Sequence, residues 1–315
     1  MKSAVTLIFF NRPDTLQKVF EKVREAKPPK LFLVQDGARE GNLTDAERIR
    51  QCRQVVERID WECEVYKDYS ETNLGCGVRP QSGITWVLSQ VDSTIILEDD
   101  CVPDPSFFAY CDEMLERYAN DERISYISGL NHFEEWDFGG SSYGFTKRGA
   151  IWGWATWKRA WDRYDYAVDS INSKYLQKQL RFALGNDLER LDLWMQTNAL
   201  VKNNTKISYW DVQWGFVKYT QSQLVIVPRN NLINNIGVGV DSTHAHGLRK
   251  NHKKYVDFNN MPVRPLDFPL EHPKFVICDN EYDALLIKCN KRAKSRMLWR
   301  AVMNKMTRMV RKNYD

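Results

Sequence analysis

The chain holds 315 residues, 43% hydrophobic, 12% aromatic and 27% charged, which suffices for one large or two modest domains and excludes wholesale disorder. Its +4 net charge is uneven: ten Lys/Arg stand against one acid over 288–315 and 35 against 40 elsewhere, so the body is mildly acidic and nucleic acid is excluded as its general partner. No run approaches the ~18 apolar residues of a membrane span, and Ala4–Phe10 lacks the flanks of a secretory leader, so the chain is expected in the cytoplasm.

Ala4–Phe10 reads as a first strand closed by a Pro turn, and Asp14–Ala26 as a helix with Leu16, Val19, Phe20 and Val23 on one face and Asp14 as its N-cap. Leu31–Val34 is a second strand, ending at Asp36-Gly37. Thr44–Ile59 is a helix with Thr44 and Glu47 in capping-box spacing. Cys63–Tyr66, Gly83–Gln90 and Ser93–Leu97 follow as strand, helix and strand, the last stopping at Glu98-Asp99-Asp100. This alternation predicts βαβ units and a mostly parallel sheet, whose ligands bind beyond the carboxyl ends of the strands. Asp104-Pro105-Ser106 starts a helix that runs to about Ala119, and Ile124–Ser128 returns as a strand. Residues 131–166 are rich in Gly and aromatics, helical segments reach about Asn203, Leu224–Val227 is a strand, and Pro228–His246 is a Gly/Asn-rich loop. The seven cysteines are odd in number and include no C-x-x-C pair, which fits reduced thiols.

Three consecutive carboxylates at the end of a buried strand repel one another. Alternation places Glu98 and Asp100 on one face and Asp99 on the other. Such a pair suits a hard divalent cation, which prefers oxygen ligands and an accompanying phosphate. A solvated acidic turn favouring the next helix N-terminus accounts for the same residues, and the sequence leaves both open. Eight of the eleven Trp lie between 136 and 214. A Trp-lined cleft suits a carbohydrate, whose C–H faces stack on rings. In Ile151-Trp152-Gly153-Trp154-Ala155-Thr156-Trp157, Trp152 and Trp154 beside Gly153 are the site candidates, while Trp157 and Trp161, four apart on a helix, are core candidates.

With Ile96-Leu97-Glu98-Asp99-Asp100 as its centre, the chain resembles nucleotide-sugar glycosyltransferases of the GT-A fold, and most of all the N-acetylglucosaminyltransferase I-like branch, where E-D-D replaces D-x-D. The resemblance covers roughly residues 3–246. It implies an α/β fold with a mostly parallel, helix-flanked sheet, a UDP-sugar donor, Mn²⁺ or Mg²⁺ on Asp100, and Glu98 and Asp99 facing ribose or donor sugar. Asn11 and Arg12 match the nucleotide-contacting turn, Asp36 the acid that bonds the base, and Asn73 to Arg79 the Gly-containing stretch before the third helix, which includes Gly75 and whose basic side chain, Arg79, approaches the nucleotide. Asp36 reads equally as an Asp-Gly turn, and Arg79 as a surface residue. Tyr209-Trp210-Asp211-Val212-Gln213-Trp214 resembles the segment carrying the catalytic base, here Asp211, whose flanking Trp residues would raise its pKa. Pro228-Arg229-Asn230 and the Gly237/Gly239 loop match a segment that closes over the diphosphate, from which His244 or His246 would reach metal or phosphate. The family's Gly/Trp loop supports Trp152, Gly153 and Trp154 beneath donor sugar and acceptor.

The implied organisation is a nucleotide-sugar half at 1–130, an acceptor and catalytic half of the same domain at 131–270, and a basic amphipathic helical tail at 271–315. The implied reaction is inverting transfer of a hexosyl or N-acetylhexosaminyl group to a glycan or lipid-linked hydroxyl. Over 292–312, Met297, Leu298, Ala301, Val302, Met306, Met309 and Val310 form a stripe beside Arg296, Arg300, Arg311 and Lys312, which suits the surface of an anionic membrane and a peripheral place on its inner face, or alternatively packing on the chain's own acidic body or a second subunit. Two other readings compete. A sugar-1-phosphate nucleotidyltransferase needs a Gly-rich phosphate loop straight after the first strand, where Asn11-Arg12-Pro13 stands. A non-catalytic sugar-binding scaffold recruited to membrane has no use for the acids and Asp211.

Overall fold

The apolar runs of the first hundred residues become the parallel half of a sheet. The computed structural model describes residues 1–185, 187–237 and 259–289. In it β1 (Ala4–Phe9), β2 (Lys30–Gln35), β3 (Glu64–Tyr69) and β4 (Ser93–Glu98) alternate with α1 (Pro13–Ala26), α2 (Asp45–Val56) and α3 (Arg79–Leu88). Then come β5 (Cys101–Pro103), α4 (Ser106–Arg117), β6 (Ile124–Ser128), β7 (Tyr143–Thr146), β8 (Trp154–Trp157) and α5 (Lys158–Trp161). A 3₁₀ turn at Asp169–Asn172 leads to α6 (Lys174–Leu184), α7 (Glu189–Lys202), α8 (Asp211–Thr220), β9 (Leu224–Pro228) and β10 (Ile233–Asn235), and residues 280–289 are again helical.

The main sheet has eight strands in the order β3-β2-β1-β4-β8-β6-β9-β7. Only β8 and β7 run against the rest. This is the mostly parallel, helix-flanked α/β sheet that the alternation predicts. Every residue of β1 is buried, because both faces are covered. Val5, Leu7 and Phe9 meet α1 and α4 on one side, while Ala4 and Ile8 join Ile84, Trp154, Trp210 and Trp214 on the other. A smaller core of Leu180, Leu184, Leu191, Trp194 and Phe216 joins α6 and α7 to α8.

Several expectations need correction. Neither Asp14 nor Thr44 caps a helix through its side chain: α1 opens with Pro13 in its first turn, and Thr44 donates to Asn42 Oδ1 instead. Glu47 pairs with Arg50, so no capping box forms. β8, within the stretch read as loops, lies between β4 and β6 and carries residues of the second half into the middle of the sheet. The tail does not begin at 271. Tyr282 and Leu286 are buried in the core, and Cys278 bridges to Phe145 of β7. The amphipathic stretch 292–312 lies outside the described residues.

Candidate functional site

Strand order sets the place of the site. From β1 the chain builds outward through β2 and β3, then returns to lay β4 on the other side of β1. Beyond the carboxyl ends of β1 and β4 the flanking connections diverge, which is the usual ligand position in an open parallel sheet. Arg12 follows β1 and Glu98-Asp99-Asp100 ends β4.

The strand stops at Glu98 and the next two residues turn, so period-two alternation does not extend to Asp100. Asp99 and Asp100 therefore meet the same guanidinium rather than opposite faces: Arg12 Nη1 lies 2.9 Å from Asp100 Oδ2 and 3.7 Å from Asp99 Oδ1. The Phe10 amide donates to Asp99 Oδ2 at 3.1 Å, tying the ends of β1 and β4 together. Burial and the neighbouring carboxylates push Glu98 up to about 8 and Asp99 up to about 7. The same repulsion that raises them would be relieved by an additional cation. Among the described residues no three His, Cys, Asp or Glu side chains gather as a cage for one. Asp100 is the carboxylate that would fit a divalent ion completed by a ligand's phosphate oxygens.

Distant segments complete this corner. β10 pairs antiparallel with β5, setting Asn235 opposite Cys101, and the Ile236 amide donates to the Asp100 carbonyl at 2.9 Å. A side chain at Gly237 would collide with the Asp100 carboxylate. His244 and His246 lie outside the described residues.

The turn after β1 is held from below. Asp45, fully buried, accepts from Asn11 Nδ2 at 2.8 Å and takes a two-pronged bond from Arg39 at 2.7 Å on each oxygen. The Arg39 fork holds its carboxyl down at about 2. Asn11 thus spends its amide group inside the protein. Asp36 does likewise: it accepts from the amides of Gly37, Leu74 and Gly75 and from Asn73 Nδ2, all at 2.8–3.0 Å, so its acceptor positions are filled by the loop preceding α3. Arg79 is not a surface residue. It is buried, donating to the Gln35 carbonyl and pairing with Asp68 at 2.8 Å, where it clamps β2 to β3.

A further cation stands over the loop before α3. The loop after α7 folds over 75–77: Cys76 Sγ contacts the Ser208 carbonyl at 3.0 Å, and a side chain at Gly77 would strike the Ile207 carbonyl. This sets the exposed Lys206 above Gly75, its Nζ 3.4 Å from where a β-carbon would stand. Nothing in Asn203-Asn204-Thr205-Lys206 signals that role; only the glycines opposite hint at a close approach.

Asp211 opens α8 and is exposed at the helix N-terminus, and its charge adds to the forces that raise Glu98. The indoles beside it do not enclose it. Trp210 and Trp214 turn into the core, Trp210 stacking on Trp154 at 5.7 Å, and so do not form the hydrophobic pocket expected around the carboxylate. Trp154 has no exposed surface, because β8 is an interior strand covered on both faces, so its ring is unavailable to a sugar. Trp157 and Trp161 are buried as core residues. Trp152 is partly exposed. Gly153 is required by packing: its φ is +58°, and a β-carbon there would run into Ile233 of β10.

No family model and no curated protein matches the sequence. Among solved structures, the galactosyltransferase LgtC in complex with donor and acceptor sugar analogues matches with 11% identity and a TM-score of 0.35, covering 69% of this chain and 70% of that one. A UDP-glucose pyrophosphorylase complexed with UDP-glucose matches with 11% identity and a TM-score of 0.36, over 74% of this chain and 92% of that one. An active-site mutant of LgtC gives 11% and 0.37, over 69% and 70%. Similarity this distant bears on neither substrate nor chemistry. Among the described residues no helix is long and apolar enough to cross a membrane.

Proposed function

We propose that this chain is a metal-dependent, inverting glycosyltransferase that moves a sugar from a nucleoside-diphosphate donor, UDP-sugar by resemblance, to a hydroxyl of a glycan or lipid-linked acceptor. The observation supporting it is the gathering of Arg12 with Glu98, Asp99 and Asp100 beyond the carboxyl ends of β1 and β4, the usual ligand position for this strand order. Asp211, exposed at the start of α8, removes the proton of the attacking hydroxyl. Lys206 sits above the Gly75 turn as a cation for the departing diphosphate, and Arg12 holds Asp99 and Asp100 in place. Mn²⁺ or Mg²⁺ would be held by Asp100 and would supply charge neutralisation on the leaving nucleotide. Asp36, Asn11 and Arg79 shape the walls from within, and Trp152 is the remaining indole for the sugar.

In this reading the enzyme is cytoplasmic and peripheral, with 292–312 resting on the inner face of a membrane. Thermal shift against a panel of nucleotide sugars, with and without Mn²⁺, followed by detection of nucleoside diphosphate, is the test. A Mn²⁺-dependent shift with UDP release is expected. Pyrophosphate exchange instead would mark a nucleotidyltransferase, and binding without release a scaffold.

A further inference from the structure

α6 presents a solvent face of unusual composition. Tyr175 and Phe182 are 73% and 76% exposed. Lys174, Lys178 and Arg181 are exposed around them, and the helix contains no acid. At ~100° per residue these five positions fall within about 120° of the helix circumference, while Leu180 and Leu184 point to the small core behind. None of the three cations has an ion-pair partner among the described residues. Two aromatic rings three-quarters in water on one cationic face are the kind of exposed apolar surface that marks an interaction site.

The chain's own undescribed segments are poor covers. Residues 290–315 carry nine Lys/Arg against Asp315, and 238–258 carry four against two acids, so both share the helix's sign. A cover must be anionic and accept aromatic rings. An anionic bilayer does both, since Lys and Arg meet its phosphates while Tyr and Phe enter the headgroup boundary.

We infer that α6 is a membrane-docking face that seats this protein on anionic lipid through Tyr175 and Phe182, flanked by Lys174, Lys178 and Arg181. The inference is independent of the transferase reading and stands or falls on lipid binding alone. The 3₁₀ turn before α6 packs beside the carboxyl end of α7, with Asn172 bonded to Asn198, so the docking face begins on the side from which the Lys206 loop departs.

The test is sedimentation of the full chain with phosphatidylglycerol-containing vesicles and with phosphatidylcholine vesicles, at low and high salt. Wild type should bind the anionic vesicles, and bind less as salt rises. The double variant Tyr175→Ala/Phe182→Ala should lose about tenfold in partitioning, and Lys174→Gln/Lys178→Gln/Arg181→Gln about 10²-fold. All five side chains are exposed, so the melting temperature should not move. Wild-type partitioning by both variants overturns the inference. So does a lipid-free change of oligomeric state in the aromatic variant, which would make the face a contact between proteins.

Discussion

Asp211 is the residue whose replacement should separate turnover from binding. Asp211→Asn is expected to lower kcat by ~10²–10⁴-fold while donor affinity stays near wild type, as steady-state kinetics and nucleotide titration would show. Equal losses in both would make it a donor-holding group. Asp45 gives a pH-dependent counterpart. Its folded carboxyl sits at about 2 against 3.8, so its contribution is complete above the unfolded value and is lost as pH falls through the folded one. Asp45→Asn should cost ~1–2 kcal/mol at neutral pH, with the gap to wild type closing between about pH 4 and about pH 2 in urea titrations. The acid triplet was legible in the sequence because like charges after a buried strand have no packing explanation. Trp154 was not, because an indole looks the same whether it lines a cleft or fills a core. Arg79 was misplaced for a related reason: charge suggests a surface, and only the structure shows the Gln35 carbonyl and Asp68 that satisfy it.

Elements long enough to show a period were readable, and short ones were not. β1, β2, β4, β6 and β9 were found as apolar runs within a few residues of their ends. β5 and β10 have three residues each, too few to show a period, and the four residues of β8 are all buried and so do not alternate. The short pieces nevertheless build the site's corner. β10 brings Ile233 against Gly153 and delivers Gly237 to Asp100. Gly153→Ala combines a left-handed backbone with a collision against Ile233, and should cost about 2–4 kcal/mol. Urea denaturation would measure that cost, and a loss under 1 kcal/mol would mean that β10 shifts easily.

For the whole molecule, the useful boundary lies nearer 289 than 271. Shortening the chain to end at Cys289 keeps Tyr282 and Leu286 in place, so melting temperature and donor binding should be retained. Ending it at 277 removes Tyr282 from between Phe133, Trp136 and Phe138 and should lower the melting temperature or cause aggregation. Circular dichroism melts of the two shortened chains would decide it. The position of β8 also has a bearing on synthesis. A ribosome that has released the first 130 residues has made β1 to β6, yet β4 and β6 do not pair, since β8 lies between them. Until Trp154–Trp157 arrives, Ile95, Ile96 and Leu97 border an unpaired strand edge, a template for wrong partners. A nascent chain paused there would depend on chaperones, and one stopped there would precipitate, so no independently folding nucleotide half should ever be recovered in soluble form.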